Sequence, residues 1–167
     1  MARRSSVGDR LGTRPWKAPA MSLKRVVFAR HSNPWSAWSR WASTPLVAVP
    51  FWTRRRRDAV LVAVWMLANP VLFPEPRTDR AWATRAMLGE ELWTSRLRLD
   101  RAMTVNIAAS AAMGTALYGA WRRSGPVAVA GVLAQMSFLL CYWDMMVRLY
   151  EGQTRSSGEA LVGDHRA

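Results

Sequence analysis

Cysteine is almost missing from this chain: Cys141 stands alone, which excludes an intramolecular disulfide or a thiolate cluster. Set among apolar residues, it reads as a buried, inert thiol. Histidine is nearly as scarce, with only His31 and His165, and neither has a metal-ligand spacing. HExxH, GxSxG and phosphate-loop patterns are absent. The sequence therefore assigns no catalytic residue, metal or cofactor. A metal or acid–base site would have to gather His31 with Asp79, Glu90, Glu91 or Asp144 from separate elements. Acidic residues are outnumbered, 11 against 24 basic ones, for a net charge of +13. Lysine is confined to Lys17 and Lys24, and arginine supplies the rest. With abundant Ala and Trp, that bias reads as the codon usage of a GC-rich bacterium. No apolar run precedes Val26, so no signal-peptide core is apparent.

A strongly basic chain of 167 residues fits a single domain that binds nucleic acid or one that inserts basic loops around a membrane core. Distribution separates these readings. Residues 102–121 and 124–143 carry no charge, and arginines cluster between such windows, as a bilayer sorts a chain. Each window has the roughly 20 residues a helix needs to cross the hydrocarbon layer. Arg122-Arg123-Ser124-Gly125-Pro126 between them reads as a tight turn, with Gly-Pro ending one helix and starting the next. Two such windows would have no partner in water, so nucleic acid is not an expected partner and the lipid bilayer is.

The earlier pair is shorter. Residues 41–53 and 59–74 are uncharged but interrupted by Pro45, Pro50 and Pro70. At 1.5 Å per residue they reach about 20 and 24 Å, less than a full crossing. Their connector, Arg54-Arg55-Arg56-Arg57-Asp58, would sit near mid-bilayer if the pair dipped in and returned, at about 2.5–3.5 kcal/mol per arginine. Traversal avoids this, with the first helix beginning near Trp35, Arg40 snorkelling, and the bilayer thinning locally. The expected fold is thus all-α: four transmembrane helices as two hairpins, with spans near 36–53, 58–74, 102–121 and 124–146. Two spans plus an interfacial hairpin is the alternative.

Within this domain of residues 25–151, Ser32 or Asn33 can cap the first helix before Pro34. Trp35, Trp38 and Trp41 form a stripe suited to the headgroup zone, more readily an anchor than a ligand cage. Residues 74–101 predict an amphipathic helix capped by Thr78 or Asp79, with Trp82, Leu88, Leu92, Trp93 and Leu97 on its apolar face. Residues 1–24 read as a disordered basic segment, with a second candidate start at Met21, and residues 152–167 as a disordered tail. Lys and Arg number 18 on the side of both termini and 6 on the other. That count places both termini in the cytoplasm of a multi-pass plasma-membrane protein, although the dense tetra-arginine loop argues the reverse.

A few polar residues could carry function. Asp144 has Arg101 across the predicted hairpin and Arg148 one turn on as possible cationic partners. Asn106 falls near Cys141, and the same membrane face holds His31 and Asn33. His31, Asn33, Asn106, Asp144 and Arg148 form the candidate polar interface site, although a structural ion pair explains Asp144 more simply. Gln135 is expected to bridge helices, and the Asn69 amide to satisfy the backbone break at Pro70 or mark a site there. Ser110, Gly114 and Gly119 offer a small-residue face for packing within the bundle or between copies as a homo-oligomer.

At His31-Ser-Asn-Pro-Trp-Ser-Ala-Trp38, Asn69-Pro-Val-Leu-Phe-Pro-Glu-Pro76, Met87-Leu-Gly-Glu-Glu-Leu-Trp93 and Trp143-Asp-Met-Met-Val-Arg-Leu-Tyr-Glu151, the chain resembles an uncharacterised prokaryotic family of small multi-pass membrane proteins, a domain of unknown function. The resemblance covers roughly residues 30–151. It implies a membrane location and a functional core without either chain end, and supplies no catalytic role. The leading expectation is a non-enzymatic accessory or assembly component. A small transporter or channel subunit follows, then a lipid-modifying membrane enzyme.

Overall fold

The computed structural model describes residues 30–95 and 99–164, with backbone only for 157–164. The basic segment 1–24 and His165 lie outside the described residues. Every regular element described is helical, as expected. Helix α1 spans Pro34–Ser43, a 3₁₀ turn Thr44–Ala48, and α2 Val49–Thr53; α3 covers Arg56–Leu72, α4 Trp82–Thr94, α5 Arg101–Trp121 and α6 Gly125–Asp164. Among the described residues one helix, over Gly125–Ser156, is by itself long and apolar enough to cross a membrane.

The prolines explain why residues 34–53 are helical yet segmented. Pro45 and Pro50 have no N–H to offer the carbonyls of Trp41 and Leu46. Those carbonyls accept instead from Thr44 and Val49, one residue nearer, and the chain tightens into a 3₁₀ turn. Asn33 caps α1 by accepting from the Trp35 amide at 2.9 Å, and its own amide donates to Pro74 O at 2.8 Å. Both hairpin turns pass through left-handed arginines, Arg54 at φ 57° and Arg123 at φ 55°. At the second turn Ser124 N bonds to Gly119 O and Arg123 N to Ala120 O, a Schellman closure. Arg123 takes the left-handed position, and Gly125 is the first residue of α6. Arg54 donates to Trp121 O at 3.0 Å, so the two basic turns lie together at one end of the molecule.

Helix α6 is the spine, packed most extensively against α5 and α4. Its contact with α5 is made by small residues. A Cβ on Gly131 would lie 2.5 Å from Ala116 N, and one on Gly119 would lie 2.5 Å from Ala128 N. Gly119 is therefore consumed within the hairpin and is not available to a second copy, whereas Ser110 and Gly114 stay open. Cys141 is exposed on the outer face of α6, not buried, because the register set by the glycines turns it away from α5. The helix also runs on to Asp164, through a stretch whose composition suggests disorder. An established helix extends at little cost per residue, and Tyr150–Asp79 and Arg85–Glu151 contacts anchor this one just upstream.

Helix α4 caps the end opposite the basic turns. Its buried face is Ala83, Thr84, Ala86, Met87, Gly89 and Trp93. Of the expected apolar face Trp93 is buried and Trp82 packs on the core, Leu88 and Leu92 are only half-buried, and Leu97 lies outside the described residues. Small residues win because α4 lies nearly on the α6 backbone: a Cβ on Gly89 would lie 2.0 Å from Met146 O. The helix begins at Ala81 without a side-chain cap, and Asp79 instead accepts from Tyr150 at 2.9 Å. Trp38 and Trp41 also pack within the bundle. Trp38 stacks on Trp82 at 5.9 Å and meets Trp41 and Trp143 edge-on, each at 5.7 Å, while Trp35 remains 74% exposed.

Candidate functional site

Arg40 is the only charged residue between His31 and Arg54. Its side chain turns inward from α1 toward the start of the chain's described part and toward α4. There the guanidinium contacts His31 Nδ1 and donates to Met87 Sδ at 3.7 Å. A guanidinium only donates, so Nδ1 accepts and the imidazole proton sits on Nε2. That nitrogen is 4.0 Å from Glu90 Oε2, and Tyr142 of α6 donates to Glu90 Oε1 at 3.4 Å. Four side chains from three helices and the segment before α1 thus form one half-buried cluster.

Burial governs its electrostatics. It holds the His31 imidazole down at about 4, with the Arg40 cation adding to the effect. It pushes the Glu90 carboxyl above its ordinary range, opposed by Arg40 and by the Tyr142 hydroxyl. Below α4, Asp100 accepts from Met103 N at 2.9 Å and from Trp93 Nε1 at 3.0 Å, and its carboxyl is held low chiefly by the Met103 amide. Asp100 caps α5 and positions Trp93 against Tyr142, whose rings meet edge-on at 5.8 Å.

His31, Arg40 and Glu90 of this cluster form the polar pole of a cavity of about 330 Å³ between the helices. Its floor is apolar, with Trp41, Val47, Met66, Met113, Leu139 and Trp143. Gln135 also lines it, and its Oε1 is buried without a hydrogen-bond partner. Thr44, the one hydroxyl residue in the lining, donates to Arg40 O at 3.2 Å and is committed to the backbone. A larger depression of about 420 Å³ lies between residues 75–79 and the outer face of α4, lined by Glu75, Asp79 and Glu91. It does not include the His31–Arg40–Glu90 cluster.

Of the five residues expected at a polar interface site, His31 alone lines the cavity. Asn33 is the α1 cap. Asp144 pairs with Arg148, its neighbour one turn on, at 2.7 Å on the surface, rather than with Arg101. Asn106 does not reach the cluster; its carbonyl accepts from Ser110 at 2.9 Å within α5. No group of three or more metal-binding side chains occurs among the described residues. The Asn69 side chain is engaged across helices. It is fully buried, accepts from Ser36 Oγ at 3.0 Å and donates to Ser39 Oγ at 2.7 Å, tying α3 to α1. Sequence reading did not assign Arg40, Glu90, Tyr142 and Gln135 to one site. The available signal was Arg40, a lone cation in an otherwise uncharged stretch that needs a partner from elsewhere.

No curated protein and no solved structure matches the chain. A family model does, over residues 13–166, beyond both limits of the resemblance read from the motifs. The match includes the helix that runs past residue 151, so the shared unit is not restricted to residues 30–151. The chain belongs to the family of unknown function DUF6653.

Proposed function

We propose that this chain is an integral membrane protein in which residues 34–53, α3, α5 and α6 cross the bilayer as two hairpins, and that it serves as a non-enzymatic accessory or assembly component. The observation that carries this reading is the inverted distribution of polarity. Val60, Leu61, Val64 and Leu67 of α3 face outward, Leu67 at 79% exposure, while Ser36, Asn69 and Thr44 are buried between helices. Only 22% of the apolar window of α6 is covered by the rest of the chain, far less than the core helix of a water-soluble protein. A continuous outer belt of this kind is costly in water and suited to lipid.

Dimensions support the same reading. The 21 residues of α5 extend about 31 Å and the 17 of α3 about 26 Å, within the tolerance that tilt and thinning allow. Exposed Trp52, Tyr118 and Trp121 stand beside the basic turns, where an aromatic girdle belongs. In this arrangement the arginines of the first turn reach the far interface, and the larger count of basic residues keeps both termini cytoplasmic.

Carbonate extraction of membranes tests the assignment: the protein stays in the pellet, and release into the supernatant overturns it. In a C141S background, cysteines placed at Arg55 and Gly152 label from opposite sides of the membrane with an impermeant maleimide. Labelling of both from one side removes the double-hairpin topology. A small transporter or channel subunit is the second reading, favoured by the proline-broken segment beside a polar-ended cavity. Solute flux in proteoliposomes would replace the accessory role with that one.

A further inference from the structure

We infer that the cavity beneath α4 binds the head of a single-chain, uncharged amphiphile bearing hydroxyl groups, with its chain leaving between the helices. The inference rests on the membrane reading only for where such a ligand comes from.

Three observations select this class. The first is the division of the lining. One pole carries a cation, a carboxylate and an imidazole, Arg40, Glu90 and His31, and the remainder is aliphatic, thioether and indole apart from Thr44 and Gln135. A ligand that fills both parts must have a polar head and an apolar continuation. The second is charge. Arg40 and Glu90 are opposite in sign and share one pole. An anionic head would compete with Glu90 for the guanidinium, and a cationic head would meet Arg40. A neutral head with hydroxyls donates to the carboxylate side and accepts from the guanidinium without displacing either.

The third observation is Gln135. Its Oε1 is buried without a donor in a wall of the cavity. An amide acceptor out of contact with water and without a partner is unfavourable, and a ligand O–H removes the deficit after a rotation of the carboxamide. No other described residue supplies that donor. Size and shape agree. At roughly 30 Å³ per water-sized group the space holds on the order of ten heavy atoms, enough for a glyceryl ester head and its first methylenes. The cavity is open on one side rather than sealed, so a longer chain has an exit. Trp41 and Trp143 flank the space and provide an optical reporter.

The test uses the purified full-length protein in detergent and brominated probes, whose bromines quench tryptophan on contact. The probes carry bromine near the head, on the carbons closest to the cavity: 4,5-dibromostearoyl glycerol, ionised 4,5-dibromostearate and 1,2-dibromooctadecane. The glyceryl ester should quench saturably and be displaced by 1-oleoylglycerol, whereas the other two show only the unsaturable quenching of micelle partition. Gln135→Met keeps the volume and removes the acceptor. It should weaken the ester about tenfold, the loss of one hydrogen bond to an otherwise unpartnered group. Its thermal stability should be unchanged or raised, which guards against misfolding as the cause. Equal saturable binding of the hydrocarbon overturns the requirement for a polar head, and preferred binding of the stearate overturns its neutrality. Unchanged affinity in Gln135→Met removes Gln135 from the site, and absence of saturable quenching by any probe overturns the site altogether. Carbonate extraction reports separately on the membrane assignment. A pelleting protein that binds none of the probes loses the site alone, and a carbonate-released protein that binds the ester loses the spans alone.

Discussion

Between α5 and α6 the two backbones touch. Gly131 lies against Ala116 and Ala112, Gly119 against Val127 and Ala128, and no polar side chain is needed to hold the pair. Between α1 and α3 the helices are held by side chains instead. Ser36 donates to Asn69, Asn69 to Ser39, and Trp65 of α3 to Ser43 at 2.8 Å. The difference follows from the prolines. An unbroken pair of helices can align small residues over several turns and gain dispersion contacts along its length. A helix interrupted at Pro45 and Pro50 has no such straight ridge. It uses local polar contacts, which remain strong where water is excluded.

The comparison can be broken most severely at Gly131. Gly131→Ala places a methyl 2.5 Å from the Ala116 amide nitrogen, with backbone on all sides, and should cost about 3 kcal/mol or more in thermal unfolding. Gly114→Ala in the same hairpin meets nothing within 4 Å and should be neutral or stabilise by up to about 1 kcal/mol. Equal effects of the two would mean that backbone contact does not close this hairpin.

Next in size is the polar pair. Asn69→Leu removes the side-chain partner shared by the buried Ser36 and the half-buried Ser39 hydroxyls, leaves Ser36 only the longer 3.3 Å bond to the residue 69 carbonyl, and should destabilise by about 2 kcal/mol. Ser36→Ala should cost about 1 kcal/mol, and a double-mutant cycle should return a coupling above about 0.5 kcal/mol. Additivity would show that the two side chains do not act together.

A smaller effect comes from acid. His31 binds its proton less tightly in the fold than in the unfolded chain, so its stabilisation is complete above pH 6.5 and is lost as pH falls toward 4. Glu90, whose carboxyl is raised, acts in the opposite sense, because the fold favours its protonated form. Melting curves of Glu90→Gln isolate the histidine: stability should decline from pH 6.5 to 4, and adding His31→Asn should flatten the profile. The size is limited because about 26% of the His31 side chain remains exposed.

Smallest is Asp144→Asn. Its partner Arg148 is 79% exposed, and a surface pair one helical turn apart contributes about 0.5 kcal/mol or less. A large loss of stability on this substitution would give Asp144 a role that its surroundings do not provide.

Much of the fold was legible because its signals are local. The uncharged windows match α5 and the first part of α6 closely, and the arginine run marked the first turn, which holds Arg54 and Arg55 while Arg56 and Arg57 open α3. Asn33-Pro34 marked the start of α1. The site was far less legible. Asp144 and Arg148 drew attention because they share a helix face, and that same proximity lets them satisfy each other on the surface. Glu90 and Tyr142 gave no such signal, since they lie 52 residues apart and meet only when α4 docks on α6. The buried face of α4 was misread for a related reason. Hydrophobicity favoured its leucines, but at the point of closest approach Met146 O leaves no room for a side chain, so Gly89 turns to α6 and sets the rotation.

By itself, the sequence determined that the chain is helical, where α1, α5 and α6 begin and where prolines break the first segment, and that charge gathers in the connections. These depend on backbone donors, proline geometry and the cost of burying charge, all properties of short stretches. Tertiary structure alone decided which polar groups from different helices meet. The rotation and register of each helix are set by where glycine and alanine let backbones approach, and that fit placed His31, Arg40 and Glu90 at one pole of a cavity and turned Cys141 outward.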